Sequence, residues 1–364
     1  MRITAAVLRD REAAPALETV ELAGPGPDEV VLRISGVGLC HTDLLPRAAD
    51  SFVPVPVILG HEGSGVVTEV GANVTGISVG DHVLASFDSC GECANCLAAH
   101  PAYCATFLAR NLTGRALDGS TGARDAAGAE VAARWFGQSS FASHAVVAAR
   151  NLVVVEQDLP LELLGPLGCG VQTGAASVFN ALGVRPGESI AVFGVGSVGL
   201  SAVMAARVVG ATTIIAVDRL ESRLALAKEL GATHALAADG DLSGEIHRIT
   251  GGGAQYTVDT TGVPDVLLTA VNSLRLTGTC GLLGAPSGEL VFDPRLLSMG
   301  RSLKGIIEGD AVPRLMIPRL IELWRQGRFP FDRLISTFPL ARIGEAEQAM
   351  SRGDVVKPVL VPAD

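Results

Sequence analysis

At residues 60–67 the sequence reads GHEGSGVV, which sets His61 beside Glu62 within a glycine-rich turn. Glycine lets the backbone adopt a positive φ or approach another chain or an ion closely. A lone His–Glu pair is usually a hydrogen-bonded pair without a metal. In this chain, however, Cys40 lies upstream and Cys169 lies downstream. One histidine and two cysteines form a ligand set that suits a catalytic zinc ion, with a fourth position left open for a substrate.

The bulk composition is that of a two-domain globular protein. The chain has 364 residues, 43 of them Gly and 19 Pro, and 48% are hydrophobic, which is enough for two domains with their own cores. The formal net charge is −10. No basic run is present and aromatic residues are few, so nucleic acids and anionic membrane surfaces are not expected as partners. We recognise no secretory signal or membrane-spanning run and expect a cytoplasmic protein.

Seven cysteines in a long chain without an export signal favour metal binding over disulfides. Four of them, Cys90, Cys93, Cys96 and Cys104, fall in one short lobe and could close a tetrahedron of thiolates around a structural zinc ion. Four independent core cysteines would be unusual at this density, and an iron–sulfur cluster is the remaining alternative. Cys280 lies in an apolar stretch and is expected to be an ordinary core residue.

The N-terminal part of the chain contains short β segments broken by Gly and Pro, for example residues 30–34. Many short strands with turn signals between them predict a partly open barrel or a sandwich. Residues 105–140 lack such a pattern and predict a long irregular loop. The aromatic residues Trp135, Phe136 and Phe141 could line a pocket or act as packing anchors.

Regular strand–helix alternation begins at the apolar strand of residues 189–193. The sequence GVGSVG follows at residues 194–199, then a helix, then a second strand that ends on Asp218. The glycines allow a tight turn and a close approach of a pyrophosphate to the helix N-terminus, and the acid can accept hydrogen bonds from an adenosine ribose. This predicts binding of NAD rather than NADP, although Arg219 and Arg223 could accommodate a phosphate. A glycine-rich turn with a helix-capping acid is the alternative.

With these motifs placed, the sequence resembles the zinc-dependent medium-chain alcohol dehydrogenases over essentially its whole length. The family pattern G-H-E-x-x-G, with a later glycine and a small apolar residue, is matched by Gly60, His61, Glu62, Gly65, Gly71 and Val74. Within the family, the chain is most similar to the aryl- and allyl-alcohol dehydrogenases of the benzyl alcohol type. That closer resemblance rests on residues 87–91, 100–104, 318–323 and 326–331.

The resemblance implies an α/β fold of two domains. We expect a GroES-like catalytic domain, a partly open β-barrel, at residues 1–168, completed by residues 308–364. A Rossmann domain, a doubly wound parallel sheet that binds the cofactor, is expected at residues 169–307. The apolar strand at residues 281–284 and the segment before Leu303 are expected to pair across a subunit contact, as in family members. The long loop at residues 105–140 resembles that of dimeric relatives more than that of tetrameric ones, which favours a homodimer. A homotetramer is the alternative.

The same resemblance assigns roles at the metal. Cys40, His61 and Cys169 hold the catalytic zinc, and Glu62 acts as a substitute ligand during exchange. Asp43 matches the acid that orients the histidine, a role that carboxylates next to metal ligands commonly fill. With the cysteine lobe, the resemblance implies one catalytic and one structural zinc ion per subunit.

Thr42 matches the hydroxyl that passes the alcohol proton toward the nicotinamide ribose. Many relatives carry a histidine five residues after the first zinc cysteine, and that histidine hands the proton to solvent. In this chain the position is Leu45, so the relay ends at the ribose and water or uses another base. His41 lies near in sequence, but the resemblance assigns it to the pyrophosphate.

Further residues are assigned to the two small molecules. Thr173 packs on the nicotinamide, Lys357 joins His41 at the pyrophosphate and Arg223 reaches the adenosine ribose. The set expected to bind the dinucleotide is Gly194, Gly196, Ser197, Val198, Gly199, Asp218, Arg219, Arg223, His41, Thr173, Leu283 and Lys357. The set expected to line the alcohol pocket is Phe87, Trp135, Phe141 and Ile307.

The predicted function is the reversible oxidation of a primary aryl or allylic alcohol, such as benzyl alcohol, cinnamyl alcohol or geraniol, to its aldehyde with NAD. The partners expected are therefore a small alcohol and its aldehyde. A polyol or glutathione-adduct dehydrogenase of the same fold is the first alternative. A non-catalytic nucleotide-binding protein is the second, and the complete set of metal ligands with Thr42 and Asp43 argues against it.

Overall fold

The computed structural model describes residues 1–363, which fall into two units. The first comprises Met1–Cys169, Val312–Pro318 and the residues from Asp332 onward, and the second comprises Gly170–Ala311 and Arg319–Phe331. The first break lies next to the predicted boundary after residue 168. The division differs from the predicted return of the whole 308–364 segment to the first domain, because residues 308–311 and 319–331 cluster with the second unit.

Short strands dominate the first part of the described chain, and strands alternate with helices from residue 189 onward. The strands are β1 (Arg2–Leu8), β2 (Ala16–Leu22), β3 (Glu29–Gly38), β4 (Val57–Ile58), β5 (Glu62–Val70), β6 (His82–Ala85), β7 (Gly122–Arg124), β8 (Glu130–Ala132), β9 (His144–Ala148), β10 (Leu152–Val155), β11 (Ser189–Phe193), β12 (Thr213–Asp218), β13 (His234–Ala237), β14 (Ala254–Asp259), β15 (Leu274–Leu282), β16 (Ser302–Gly305), β17 (Ile335–Pro339) and β18 (Lys357–Val361). The α-helices are α1 (Ala94–Leu97), α2 (Phe107–Asn111), α3 (Leu161–Leu164), α4 (Gly170–Ala176), α5 (Ser197–Val209), α6 (Glu221–Leu230), α7 (Leu242–Thr250), α8 (Pro264–Asn272), α9 (Pro313–Arg325) and α10 (Ile343–Arg352). Short 3-10 segments lie at His41–Arg47, Pro101–Tyr103, Trp135–Gly137, Ala149–Asn151, Gly165–Gly168, Pro294–Leu296, Glu308–Asp310, Phe331–Leu334 and Leu340–Arg342, and a π-helical segment lies at Ser177–Ala181.

Five strands of the first unit close a barrel in the order β1-β2-β7-β8-β4. β1 and β2 pair antiparallel from Arg2 opposite Glu21 to Val7 opposite Ala16. β7 and β8, of three residues each, lie in the 105–140 stretch that predicts an irregular loop. That prediction is wrong for these strands and for α2, because elements of three to five residues are too short to show a periodic pattern.

A seven-stranded sheet in the same unit has the order β10-β6-β5-β3-β18-β17, and β9 also pairs with β3. β5 begins at Glu62, so the GHEGSGVV stretch leads from a turn directly into this sheet. β18, close to the C-terminal end of the sequence, pairs with β3 through Val359 opposite Gly38. This pairing brings Lys357, the first residue of β18, to the end of β3 that leads to Cys40.

The second unit contains a six-stranded sheet in the order β13-β12-β11-β14-β15-β16, and all its strand pairs are parallel. Every residue of β11 is buried, which is typical of a central strand covered by helices on both faces. The order runs outward from β11 in both directions, as in a doubly wound dinucleotide fold. Together with the barrel, this confirms the predicted fold class.

Each unit has its own apolar core. In the first, Trp135, Phe136 and Phe141 belong to one cluster with residues of the barrel and of the seven-stranded sheet. In the second, Phe193 and Ile215 of the central strands belong to one cluster with residues of α7 and α8. Burial of this apolar surface is the main force that stabilises both units. No helix among residues 1–363 is long and apolar enough to cross a membrane.

Candidate active site

Four side chains of the first unit converge on one point. The ligand atoms of Cys40, His61, Glu62 and Cys169 all lie within 4.8 Å of one another. Cys40 follows β3, His61 directly precedes β5, and Cys169 precedes α4, so rigid elements set the backbone at each ligand. The structure therefore brings together the three predicted zinc ligands and the predicted substitute ligand, although they are far apart in the sequence.

The burial and hydrogen bonding of His61 show whether a metal ion fits between these side chains. Its ring is almost fully buried, and its Nε2 atom has no hydrogen-bond partner. Its Nδ1 atom lies 2.7 Å from Oδ1 of Asp43. A histidine whose Nδ1–H donates to a carboxylate presents the Nε2 lone pair to a metal. Two thiols and such an imidazole fit zinc in donor type and number.

Asp43 is the centre of the hydrogen bonds that surround the predicted metal ligands Cys40 and His61. Its Oδ2 accepts from the backbone N–H of Cys40 at 3.1 Å, and its Oδ1 accepts from the backbone N–H of Gly60 at 3.1 Å. The same Oδ1 accepts from His61 and, at 3.0 Å, from the indole Nε1–H of Trp135. The carboxylate thus fixes the backbone at two ligand positions and the ring of one ligand, as predicted for an orienting acid.

The charges in this cluster change its ionisation. Burial lowers the pKa of His61, but the Asp43 carboxylate and the Cys40 sulfur outweigh burial and hold that pKa well above its usual range. The hydrogen bond with Cys169, together with Lys357 and His61, holds the pKa of the Cys40 thiol well below its usual range. A cluster that favours a thiolate is ready to bind a cation, and a divalent metal then displaces the remaining protons.

Glu62 is paired with a buried lysine. Nζ of Lys357 lies 2.9 Å and 3.0 Å from the two carboxylate oxygens of Glu62 and 3.2 Å from the carbonyl oxygen of Leu39. Burial raises the pKa of Glu62, and Lys357 opposes that effect. A side chain at Gly38 would collide with Glu62, so the pocket of this pair requires glycine there.

The sequence resemblance assigns Lys357 to the pyrophosphate, and this role remains a prediction. In the structure its side chain is only 2% exposed and binds the Glu62 carboxylate, a contact that the sequence does not indicate. His41, the other residue predicted at the pyrophosphate, is exposed. The long lysine side chain is directed inward because β18 runs beside β3, which local sequence patterns do not reveal.

Thr42 lies in the 3-10 segment that follows Cys40. Its Oγ1 is 3.7 Å from the Cys40 sulfur, which places the hydroxyl next to a metal ligand. Leu45, in the same segment, is 43% exposed and cannot carry a proton. The predicted proton-transfer role of Thr42 remains a prediction that this proximity permits.

The predicted pocket aromatics lie in the core of the first unit. Phe87 packs against Phe107, with ring centroids 5.8 Å apart, and Phe141 packs against Gly60. Trp135 donates to Asp43. Ile307, in contrast, is 42% exposed. Trp135 and Phe141 thus contact the supports of His61, and their predicted contact with an alcohol remains a prediction.

Two further residues contact His61: Phe136, which the sequence suggests only as a pocket or packing residue, and Gln138, which the sequence does not single out. The ring of Phe136 stacks on the His61 ring, with centroids 4.4 Å apart and planes inclined by 27°. Nε2 of Gln138 donates to the backbone carbonyl of His61 at 2.8 Å. Phe136 has φ of 51°, a left-handed conformation that is rare for aromatic residues and that the sequence does not signal.

The second metal-like cluster is the cysteine lobe. The sulfur atoms of Cys90, Cys93, Cys96 and Cys104 also lie within 4.8 Å of one another. Backbone N–H groups point at them, for example that of Ala105, which lies 3.5 Å from the Cys93 sulfur. This hydrogen bond, with others from Cys96, lowers the pKa of Cys93 to about 6. Four sulfurs with amide donors fit a closed zinc site.

In the second unit, the GVGSVG loop and Asp218 lie together. Gly194 has φ of 81°, and a side chain at Gly199 would collide with the carbonyl oxygen of Gly194, so both positions require glycine. Asp218 Oδ2 accepts from the backbone N–H of Val195 at 2.8 Å. Each carboxylate oxygen has a second lone pair, so this bond leaves Asp218 able to accept from a ribose hydroxyl.

The other residues of the second unit that are predicted to bind the cofactor lie on or next to its strands and helices. The guanidinium group of Arg223 lies close to Gly196, whereas Arg219 is exposed. Leu283 follows β15, and its N–H donates to the carbonyl of Asp259. Thr173 Oγ1 lies 3.3 Å from the carboxylate of Glu308. Ser197 and Val198 form the first turn of α5, where N–H groups can bind a phosphate.

Known proteins resemble the chain in family pattern, in sequence and in structure. Residues 26–157 match the alcohol dehydrogenase GroES-like domain, and residues 197–325 match the zinc-binding dehydrogenase family. The chain is 48% identical over 364 residues to a geraniol dehydrogenase of Castellaniella defragrans, covering 98% of this chain and 97% of the relative.

Two solved structures match the fold over the full length of both chains. An alcohol dehydrogenase zinc-binding domain protein from Burkholderia ambifaria is 49% identical, covers 100% of each chain and has a TM-score of 0.97. A benzyl alcohol dehydrogenase from Acinetobacter calcoaceticus is 41% identical, also covers 100% of each chain and has a TM-score of 0.95.

Proposed function

The chain belongs to the zinc-dependent medium-chain alcohol dehydrogenases, and from this membership we propose that it oxidises primary allylic and aryl alcohols reversibly to aldehydes with NAD. The observation that carries the proposal is the convergence of Cys40, His61 and Cys169 with an unpartnered, buried Nε2 on His61. The named activities of two similar proteins, on geraniol and on benzyl alcohol, support the substrate class.

We assign the catalytic metal to Cys40, His61 and Cys169. When bound there, zinc supplies Lewis-acid stabilisation of negative charge on the substrate oxygen. Asp43 holds the His61 tautomer that such binding requires, since it accepts the Nδ1 proton. Lys357 holds the Glu62 carboxylate through both oxygens and so keeps this proposed substitute ligand next to Cys40, His61 and Cys169.

We assign the first proton transfer to Thr42. Its hydroxyl lies beside the Cys40 sulfur, where it can accept the alcohol proton while donating its own toward the cofactor ribose. Leu45 provides no further acceptor, so the proton leaves through the ribose and water in this proposal. Hydride acceptance is the chemistry that NAD supplies.

We propose two further features of the loaded enzyme. The four cysteines of the lobe hold a second, structural zinc ion, because their sulfurs form a closed set with no free position. Asp218 favours NAD over NADP, since a carboxylate beside the ribose repels a 2′-phosphate. We also propose a homodimer, which light scattering of the purified protein would test.

A substrate panel tests the proposal. Purified enzyme is assayed with geraniol, cinnamyl alcohol, benzyl alcohol, a polyol and S-hydroxymethylglutathione, each with NAD and with NADP, before and after chelation. We expect the highest kcat/KM for the allylic and aryl alcohols with NAD, and loss of activity after chelation that added zinc restores. Highest activity on the polyol or the glutathione adduct would overturn the substrate class. Activity that survives complete metal removal would overturn the zinc mechanism.

A further inference from the structure

We propose that Trp135 is a positioning residue for the metal ligand His61 and acts through Asp43. This inference rests on the proposed function, since it takes His61 as a zinc ligand. The indole Nε1–H lies 3.0 Å from Oδ1 of Asp43, and that same oxygen lies 2.7 Å from Nδ1 of His61. All three side chains are buried, with Trp135 only 1% exposed.

The chemical environment of the indole supports this role. Trp135 lies in an apolar cluster, where a buried N–H group needs an acceptor. Its acceptor is the carboxylate that also holds Cys40, Gly60 and His61. A hydrogen bond between an N–H group and an ionised carboxylate in a buried site is strong and directional. The indole therefore fixes the position of the oxygen that orients the imidazole.

The segment that contains Trp135 makes two further contacts with His61. We call residues 135–139 the Trp135–Ser139 arch. Phe136 of the arch stacks on the face of the His61 ring, and Gln138 donates to the His61 carbonyl. Gln138 Oε1 also accepts from the backbone N–H of Gly63, on the other side of Glu62. The arch thus contacts the ring face and the backbone carbonyl of His61, and it also contacts Asp43, the acid that orients the His61 ring.

The backbone of the arch is unusual in a way that supports a functional role. Phe136 and Ser139 have φ of 51° and 49°, in the left-handed region that disfavours residues with side chains. Hydrogen bonds hold this conformation: the Trp135 N–H donates to Ser139 Oγ at 2.8 Å, and that hydroxyl donates to the Ile58 carbonyl at 2.6 Å. Strained backbone of this kind persists only where its surroundings fix it, and it concentrates at functional sites.

Two roles for Trp135 make different predictions. As a wall of the alcohol pocket, it would affect KM for the alcohol and leave metal retention unchanged. As a positioning residue, it affects how firmly His61 holds the metal, whatever the alcohol. Partners of metal ligands typically change metal affinity about 10-fold to 100-fold when removed. We expect a loss of at least about 10-fold in catalytic-zinc affinity when the indole N–H is removed.

The experiment removes the indole N–H group of Trp135 in two ways. One replacement changes the shape of the side chain, and the other keeps it. Trp324 is the other tryptophan of the chain and packs on Phe331 in the second unit, so the variant Trp324→Phe serves as the parent. In this parent, Trp135 is replaced by Phe, or by benzothienylalanine, which keeps the bicyclic shape but has sulfur in place of the N–H. Zinc transfer to a chelator and the thiolate-to-cobalt absorption of the cobalt-substituted enzyme are then measured.

We expect both replacements to speed loss of the catalytic zinc about 10-fold or more and to shift the cobalt absorption, while the parent resembles the unmodified enzyme. The benzothienylalanine protein is decisive, because it retains the packing of the indole. If it holds zinc as the parent does, the hydrogen bond has no positioning role and the inference is overturned, even where the Phe variant is unstable. If the parent itself binds no metal at Cys40, His61 and Cys169, the proposed function fails as well.

Discussion

At the scale of single residues, Glu62 and Lys357 form a fully buried ion pair in the first unit. Neither side chain has more than 2% of its surface exposed. A buried charge without its partner is strongly destabilising, whereas a well-paired one is close to neutral relative to apolar residues. Lys357 therefore contributes stability only as long as Glu62 carries its charge, and each residue constrains substitution of the other.

Replacement of Lys357 by Met tests this coupling. We expect the free energy of unfolding, measured with urea, to fall by about 3–5 kcal/mol, because Glu62 is left buried without its counter-ion. The double variant Glu62→Gln/Lys357→Met removes both charges and is the matched control. It should recover most of the lost stability. Equal losses in the single and double variants would show that packing, rather than charge, causes the effect.

Thr42 tests the proposed proton transfer at the same scale. Thr42→Val removes the hydroxyl while keeping the branched shape, so we expect kcat to fall about 10²–10⁴-fold, the usual size of a general acid–base contribution. Zinc content should be unchanged, because Thr42 is not a ligand. Thr42→Ser keeps the hydroxyl and should retain most of the activity. A valine variant that turns over at the full rate would exclude Thr42 from the proton path.

At the scale of elements, the cysteine lobe has little regular secondary structure. α1 has four residues and the 3-10 segment Pro101–Tyr103 has three. Helices of this length are not stable in isolation. Leu97 of α1 is 75% exposed, so the lobe does not bury a core of its own around this helix. Sulfur–metal bonds would provide the missing cross-links.

Replacement of Cys93 by Ser tests that dependence. We expect the variant to lose the structural zinc and to be cleaved by trypsin after Arg110, next to the lobe, faster than the parent. Retention of NADH binding, followed by fluorescence, would show that the second unit is intact. Cys280→Ser, in the core of the second unit, is the control and should not change the zinc content. Unchanged zinc content in the Cys93 variant would contradict the structural-site assignment.

Elements are predicted well from the sequence when they show a hydrophobic period or are bounded by glycine-rich turns. β11, the GVGSVG loop, α5 and the strand β12 that ends on Asp218 lie where the sequence indicates. Cys40, His61 and Cys169 are recognisable from the sequence because cysteine and histidine are metal-binding residue types that occur rarely in this chain. Comparison with relatives confirms the family and the fold class.

Contacts that depend on the pairing of distant strands cannot be predicted in this way. Lys357 reaches Glu62 because β18 joins β3, and no local pattern encodes that pairing. Trp135 reaches Asp43 because the arch adopts left-handed φ values that ordinary residues rarely show. The sequence resemblance assigns both residues to small molecules, and it does not reveal their contacts with Glu62 and Asp43.

At the scale of the whole molecule, the two units should respond to different ligands. The predicted zinc sites lie in the first unit, and the GVGSVG loop and Asp218 lie in the second. A ligand that binds only the folded state stabilises it by about 2.7 kcal/mol at 100 times its Kd. Calorimetry should therefore show two transitions, one lowered by chelation and one raised by NADH. A single transition that moves equally with both treatments would contradict this expectation.

The pairing of Lys357 with Glu62 has a consequence for the synthesis of the protein. The ribosome adds the lysine that pairs with this carboxylate 295 residues after Glu62 itself. Until β18 has emerged and joined β3, the Glu62 carboxylate lacks the partner that holds it in the folded protein. Correct metal loading of the predicted catalytic site is therefore expected to follow the emergence of β18 from the ribosome.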